Sequence, residues 1–176
     1  MKTFLENLEM LSLAAGTSGD ESAVRKLIYD EVIGYPDCTS KTDNAGNLIV
    51  SKKGKKAPKN RLMFSAHMDE VGFIITHIDE NGFLKFSNVG GIDSRVIVGK
   101  RVRVGKNEIP FQVEAYGGSS TGTNADEIAS AGAGVRTGLI SIPQQYMHSV
   151  IEKVSVDDVK NVGRLLAAFV MEGGEN

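Results

Sequence analysis

Apolar residues recur at helical spacing at both ends of the chain, with strand-like alternation between them. Phe4, Leu8, Leu11 and Ala15 share one face of a predicted first helix. Val24, Leu27, Ile28 and Val32 form the stripe of a second. That second helix is entered at Ser18 with Glu21 three residues on, the spacing of a capping box, and is closed at Gly34. Strands are predicted at 47–52 and 61–66, and the second, "LMFSA", is apolar on both faces, as a central strand would be. The stretch "VGFIITHIDENGFLKFSNVGG" holds two alternating runs joined by "DENG", a hairpin signal carrying Asn81-Gly82. In "VIVGKRVRV" valine alternates with Lys100, Arg101 and Arg103, which predicts a half-exposed strand.

From Asn107 the character changes. "NEIPFQVEAY" reads as a strand, "GGSSTGTNADEIASAGAG" as a glycine-rich loop entering a short helix, and "RTGLISIP" as another buried strand. Ser155 and Asp158 cap a last helix with Val159, Val162, Leu166 and Phe169 on its inner face. The order is helix, helix, strands, a β-rich stretch, then strand, helix, strand, helix. It predicts an α/β layer fold with a β-rich element attached.

Composition fits one soluble domain, or one core with an appendage, since 41% of the 176 residues are hydrophobic and 24% charged. The net charge of −2 creates no global field for nucleic acid or an anionic membrane, so neither is expected as a partner. The local basic cluster "SKKGKKAPKNR" lies between two strand-like runs and contains Gly54 and Pro58, which favours a solvated hairpin tip over a binding patch. A lone cysteine, Cys38, permits no intramolecular disulfide. Glu6 and Glu9 interrupt what would be the apolar core of a signal peptide, and no uninterrupted apolar run reaches membrane-spanning length. A cytoplasmic protein is expected.

Candidate chemistry begins at "SAHMDEVG". His67 and Asp69 stand two residues apart at the end of an apolar run, where open α/β sheets present ligand-binding groups. Residues so spaced on extended chain point to one side, so the imidazole could bind a metal while the carboxylate orients it. Spacing alone leaves an ordinary structural pair open. His148 in "ISIPQQYMHS" also follows an apolar run, and alone it reads more readily as a loop histidine bonded to a carbonyl than as a ligand. Two histidines after two core strands can converge on one sheet edge. His77, inside the hairpin run, reads as a β-face residue. Other chemistries fit poorly. Cys38 has no evident partner histidine, the glycine-rich loop lacks the lysine of a phosphate-binding P-loop, and Ser119 and Ser120 lack the G-x-S-x-G elbow.

Four stretches taken together, "AAGTSGDESAVRKLI", "DNAGNLIV", "FSAHMDEVGFIITHIDENGFLKFSNVGGIDSRVIVGKRVRV" and "GTNADEIASAGAGVRTGLISIPQQYMHSVIEKVSVDDV", resemble the glutamyl and deblocking aminopeptidases, known also as cellulase homologues. These are metallopeptidases with two co-catalytic ions that often assemble into hollow dodecamers. The resemblance implies a layered helix-sheet-helix α/β catalytic fold built from residues 1–70 and 107–176. Residues 71–106 would be part of a β-rich inserted dimerisation domain. It implies that His67 is a ligand of one metal, Asp69 the catalytic-site carboxylate that orients it, and His148 a ligand of the second. Divalent metal ions, zinc or cobalt, would be the cofactors, peptides the substrates, and a homo-oligomer the assembly.

The comparison also exposes a departure. In the family a long middle portion separates the "GKRVRV" strand from the "IPFQVEA" strand, and only Gly105, Lys106 and Asn107 do so here. That portion carries the bridging aspartate, the glutamate pair and a further carboxylate ligand, none of which has a motif match in this chain. Glu114, Asp126 and Glu127 are acidic residues that could substitute by charge alone. The alternative reading is therefore a non-catalytic remnant that acts as an assembly or binding module. Gln145 also stands where relatives commonly carry arginine.

Overall fold

The computed structural model describes residues 2–55, 61–113, 137–149 and 151–172. The chain divides into two compact units, Met1–Glu70 and Val71–Asn176. The expected tip at 56–60, the glycine-rich loop with its helix, and Glu114, Ser119, Ser120, Asp126 and Glu127 lie outside the described residues.

In the first unit, helix α1 (Phe4–Leu13) starts at Thr3 in a complete capping box: the Thr3 hydroxyl accepts from the Glu6 amide, and the Glu6 carboxylate accepts from the Thr3 amide. Helix α2 (Ser22–Val32) carries the predicted stripe, with Val24 buried and Leu27, Ile28 and Val32 half-buried. Its start differs from expectation. Glu21 is the N-cap residue and no side chain caps the helix; Glu21 instead accepts from the Gly19 amide at 2.6 Å, and Ser18 faces elsewhere. Strands β1 (Cys38–Thr42) and β2 (Leu48–Lys52) form an antiparallel hairpin, in register from Cys38 opposite Lys52 to Thr42 opposite Leu48. Asp43 organises its turn by accepting from the amides of Ala45 and Asn47. Arg25 of α2 ties this hairpin to the helix, donating to the Gly46 carbonyl at 2.8 Å.

Residues 61–66, predicted as a central strand, form no strand, and the chain stays irregular through 69. Leu62, Met63 and Phe64 are exposed. A strand apolar on both faces is stable only with neighbours on its edges and layers on its faces. No described strand flanks this one.

In the second unit, β3 (Gly72–Ile78) and β4 (Leu84–Val89) pair through the predicted "DENG" turn, with Thr76 displaced at a bulge between Ile75 and His77. Asp79 accepts there from the amides of Asn81 and Phe83. His77 is an exposed strand residue opposite Lys85, as expected. The "VIVGKRVRV" run is divided. A short helix α3 (Ser94–Ile97), capped by Asp93, precedes strand β5 (Arg101–Val104).

Strand β5 pairs with β6 (Ile109–Gln112), so the segments on either side of Gly105–Asn107 lie side by side. The turn closes with the Glu108 amide donating to the Gly105 carbonyl, and Gly105 holds the left-handed φ of 69° that the turn needs. A small core joins the two hairpins. Ile92, Ile97 and Val113 are buried, and Val71, Phe73, Phe86 and Val102 pack on them. The rings of Phe73 and Phe86 meet edge to face, 4.8 Å apart.

Further along, 137–143 forms no strand and Leu139, Ile140 and Ile142 are exposed. A two-residue ladder joins β7 (Gln144–Gln145) to β8 (Lys153–Val154). The last helix, α4 (Val156–Glu172), starts with Ser155 accepting from the Asp158 amide, as predicted. Its half-buried side includes Val159, Val162 and Leu166, whereas Phe169 is exposed. Among the described residues no helix is long and apolar enough to cross a membrane.

Candidate active site

His67 and Asp69 lie on extended, irregular chain, so local contacts must hold them. A short parallel bridge joins Thr17 to Glu70, and the Glu70 amide donates to the Gly16 carbonyl at 2.8 Å. The Glu70 carboxylate returns to accept from the Gly16 amide at 3.3 Å. Gly16 suits this close approach: a Cβ there would lie 2.7 Å from Val24 Cγ2 and 3.3 Å from the Met68 carbonyl oxygen. The loop between α1 and α2 thus clamps residues 68–70 by backbone contact, in place of a neighbouring strand.

The clamp fixes Asp69 between two partners. Its Oδ2 accepts from the Ser18 hydroxyl, and its Oδ1 lies 2.9 Å from His67 Nδ1. The same Nδ1 lies 2.9 Å from the Asp69 carbonyl oxygen. The Ser18 hydroxyl, then the partner His67, hold the Asp69 carboxyl below the usual carboxylate range, against the opposing effect of partial burial. Asp69 is therefore ionised at neutral pH, and both partners of Nδ1 only accept. Nδ1 must carry the proton. In the neutral imidazole that places the lone pair on Nε2, on a side chain that is 71% exposed. An imidazole oriented by a carboxylate through its far nitrogen is the arrangement a metal-ligating histidine requires.

His148 lies in the second unit, within the link between β7 and β8. Its backbone has a left-handed φ of 61°, as does that of Tyr146 at 60°. Glu152 braces this link by accepting from the His148 amide at 2.6 Å and from Gln144 Nε2 at 2.8 Å. The imidazole makes no hydrogen bond to a described residue. Gln145 is paired in the ladder opposite Lys153. Ser18 beside Asp69 and Glu152 beside His148 escaped sequence reasoning. Ser18 had a signal, but one that pointed to a helix cap; Glu152 had none beyond following a histidine by four positions.

Among the described residues no three His, Cys, Asp or Glu side chains converge as a metal-binding group. The His67–Asp69 pair fits one ligand position of a divalent ion. A complete site needs about three protein donors.

The M42 glutamyl aminopeptidase family model matches residues 46–108 and 104–165, two segments that meet at the β5–β6 turn. The chain is 33% identical over 99 residues to a lysyl aminopeptidase of Pyrococcus furiosus, covering 56% of this chain and 28% of that one. Among solved structures, it is similar to one from Thermotoga maritima described as an endoglucanase, at 44% identity and TM-score 0.51, covering 55% of this chain and 30% of that one. It is also similar to the TET1 peptidase of Pyrococcus horikoshii, which can assemble into a tetrahedron or a large octahedral shell; identity is 36% and TM-score 0.53, covering 62% of this chain and 32% of that one. The chain matches less than a third of the length of each of these relatives.

Proposed function

Because the chain belongs to the M42 glutamyl aminopeptidase family, we propose that its function is metal-dependent removal of N-terminal residues from peptides. The observation that carries this reading is the His67–Asp69 pair, in which the protonated Nδ1 is held by a carboxylate and Nε2 is left as the donor nitrogen. His67 would hold a divalent ion, zinc or cobalt, through Nε2, and Asp69 would keep the ring in that tautomer. His148 would contribute to a second ion. When bound, such ions supply Lewis acidity and activate water for attack on the peptide carbonyl. In this reading residues 1–70 and 107–176 form the α/β catalytic part, residues 71–106 belong to a β-rich insertion that serves assembly, and copies of the chain associate in the cytoplasm.

Two observations favour a second reading. The described residues bring no three ligands together, and the chain matches less than a third of its relatives' length. A non-catalytic assembly or binding module is consistent with both. Incubating the purified full chain with zinc or cobalt and an aminoacyl-p-nitroanilide separates the two. Cleavage that needs metal and is lost in His67→Ala supports the peptidase. Absence of both bound metal and cleavage leaves the assembly module.

A further inference from the structure

Ser18 has no part in the chemistry above, yet its hydroxyl starts a chain of hydrogen bonds that ends at His67. The order is hydroxyl, carboxylate, imidazole: Ser18 donates to Asp69 Oδ2, and Asp69 Oδ1 accepts from His67 Nδ1. This order does not activate a serine nucleophile, because that chemistry places the imidazole next to the hydroxyl. Here the hydroxyl proton is already committed to an anion. Its effect is mechanical. The terminal torsion of an aspartate is broad, so a carboxylate held at one oxygen can swing. Partners on both oxygens restrict it.

The support for Ser18 is itself fixed. Next to it Thr17 bridges to Glu70, and the Asp20 amide donates to the Thr17 carbonyl at 2.8 Å. Resting on the reading of His67 as the metal-facing imidazole, we propose that Ser18 is a positioning residue: by pinning Asp69 it keeps His67 in the Nδ1–H tautomer and Nε2 available as a donor atom. The Asp69 carbonyl also accepts from Nδ1, so losing Ser18 weakens the preference without abolishing it.

The test uses the full chain free of metal, labelled with 15N, above the pH range in which imidazole ionises. Long-range 1H–15N spectra of His67 report the ratio of the two tautomers. Ser18→Ala lowers the ratio of Nδ1–H to Nε2–H about fivefold, the factor that corresponds to one hydrogen bond of ordinary net strength. Ser18→Thr restores it, because the hydroxyl is retained. Amide spectra of α2 confirm that each variant stays folded, and Ser18→Cys, with a weak donor, follows Ser18→Ala. An unchanged ratio in Ser18→Ala and Ser18→Cys overturns the proposal, as does a fall in Ser18→Thr equal to that in Ser18→Ala. No metal or substrate is present, so a failure of the peptidase reading leaves this result untouched.

Discussion

The clamp between Gly16 and Glu70 can be tested by adding one methyl group. In Gly16→Ala the new Cβ would lie 2.7 Å from Val24 Cγ2, about 0.7 Å short of the 3.4 Å at which ordinary contact begins. Neither neighbour can yield easily. Val24 is buried in a helix, where a β-branched side chain has one strongly preferred rotamer, and the Met68 oxygen at 3.3 Å is backbone. If the loop moves away instead, the Glu70 amide bond to the Gly16 carbonyl stretches from 2.8 Å toward the limit of a hydrogen bond. Overpacking of this kind costs about 1–3 kcal/mol, and the weakened bond about 1 more. Alanine's lower unfolded-state entropy offsets about 0.4–1 kcal/mol. The net expectation is a loss of about 2 kcal/mol in urea unfolding, with faster exchange of the Glu70 amide. Gly34→Ala is the control: nothing lies within 4 Å of its added methyl, so it should be neutral or slightly stabilising. If Gly16→Ala unfolds at the wild-type urea concentration with Glu70 protection unchanged, the clamp does not hold the site.

Three further outcomes are expected. Val113→Ala, at a position only 3% exposed, should cost about 2 kcal/mol in thermal unfolding, from lost burial plus the cavity left beside Ile92 and Ile97. Gly105→Val forces a β-branched residue to a φ of 69°; a cost of about 1–2 kcal/mol should appear in the same assay, with loss of the Val104–Ile109 pairing in amide exchange. Asp93, which accepts from the Arg95 side chain and amide, has its carboxyl lowered to about 2. A depressed folded-state value means that its stabilising contribution is full above the unfolded carboxylate range, about pH 4, and is lost as pH falls toward 2. A carbon-detected titration of Asp93 should show the low midpoint, and Asp93→Asn should remove that part of the acid sensitivity.

What could be read from the sequence follows the range of the interactions involved. The stripe of α2, the Ser155 cap of α4 and the "DENG" hairpin each depend on residues a few positions apart, and each appears where expected. The His67–Asp69 pairing is local too, and its alternation on extended chain survives without a strand. Residues 61–66 and 137–143 failed as strands because a strand is defined by partners remote in sequence, which an apolar run cannot supply for itself. Ser18 shows a subtler failure. The capping-box spacing was present, but the hydroxyl met a carboxylate 51 residues away, and a charge-assisted bond outcompetes a neutral backbone amide. Glu21, left without it, turned to the Gly19 amide.

The two family-matched segments meet at residues 104–108, and the way the chain folds there bears on what it can do. A junction that left β5 unpaired would expose its backbone donors and acceptors, an invitation to association with other edges. Instead the residues after the junction supply the missing partner. Ile109–Gln112 pairs with Arg101–Val104, and Val113 passes into the core beside Ile92 and Ile97. Its amide and carbonyl close the arrangement by bonding the Lys100 carbonyl at 2.9 Å and the Gly99 amide at 2.7 Å. The β-rich core is therefore completed by a segment that the family match places after the junction, and the clamp around His67 draws only on residues 16–70. The contacts named for each lie within its own unit. Destabilising the β-rich core by Val113→Ala should accordingly leave the His67 tautomer ratio unchanged, and a coupled loss of both would mean that the orientation of His67 is set by more than Gly16, Ser18 and Glu70.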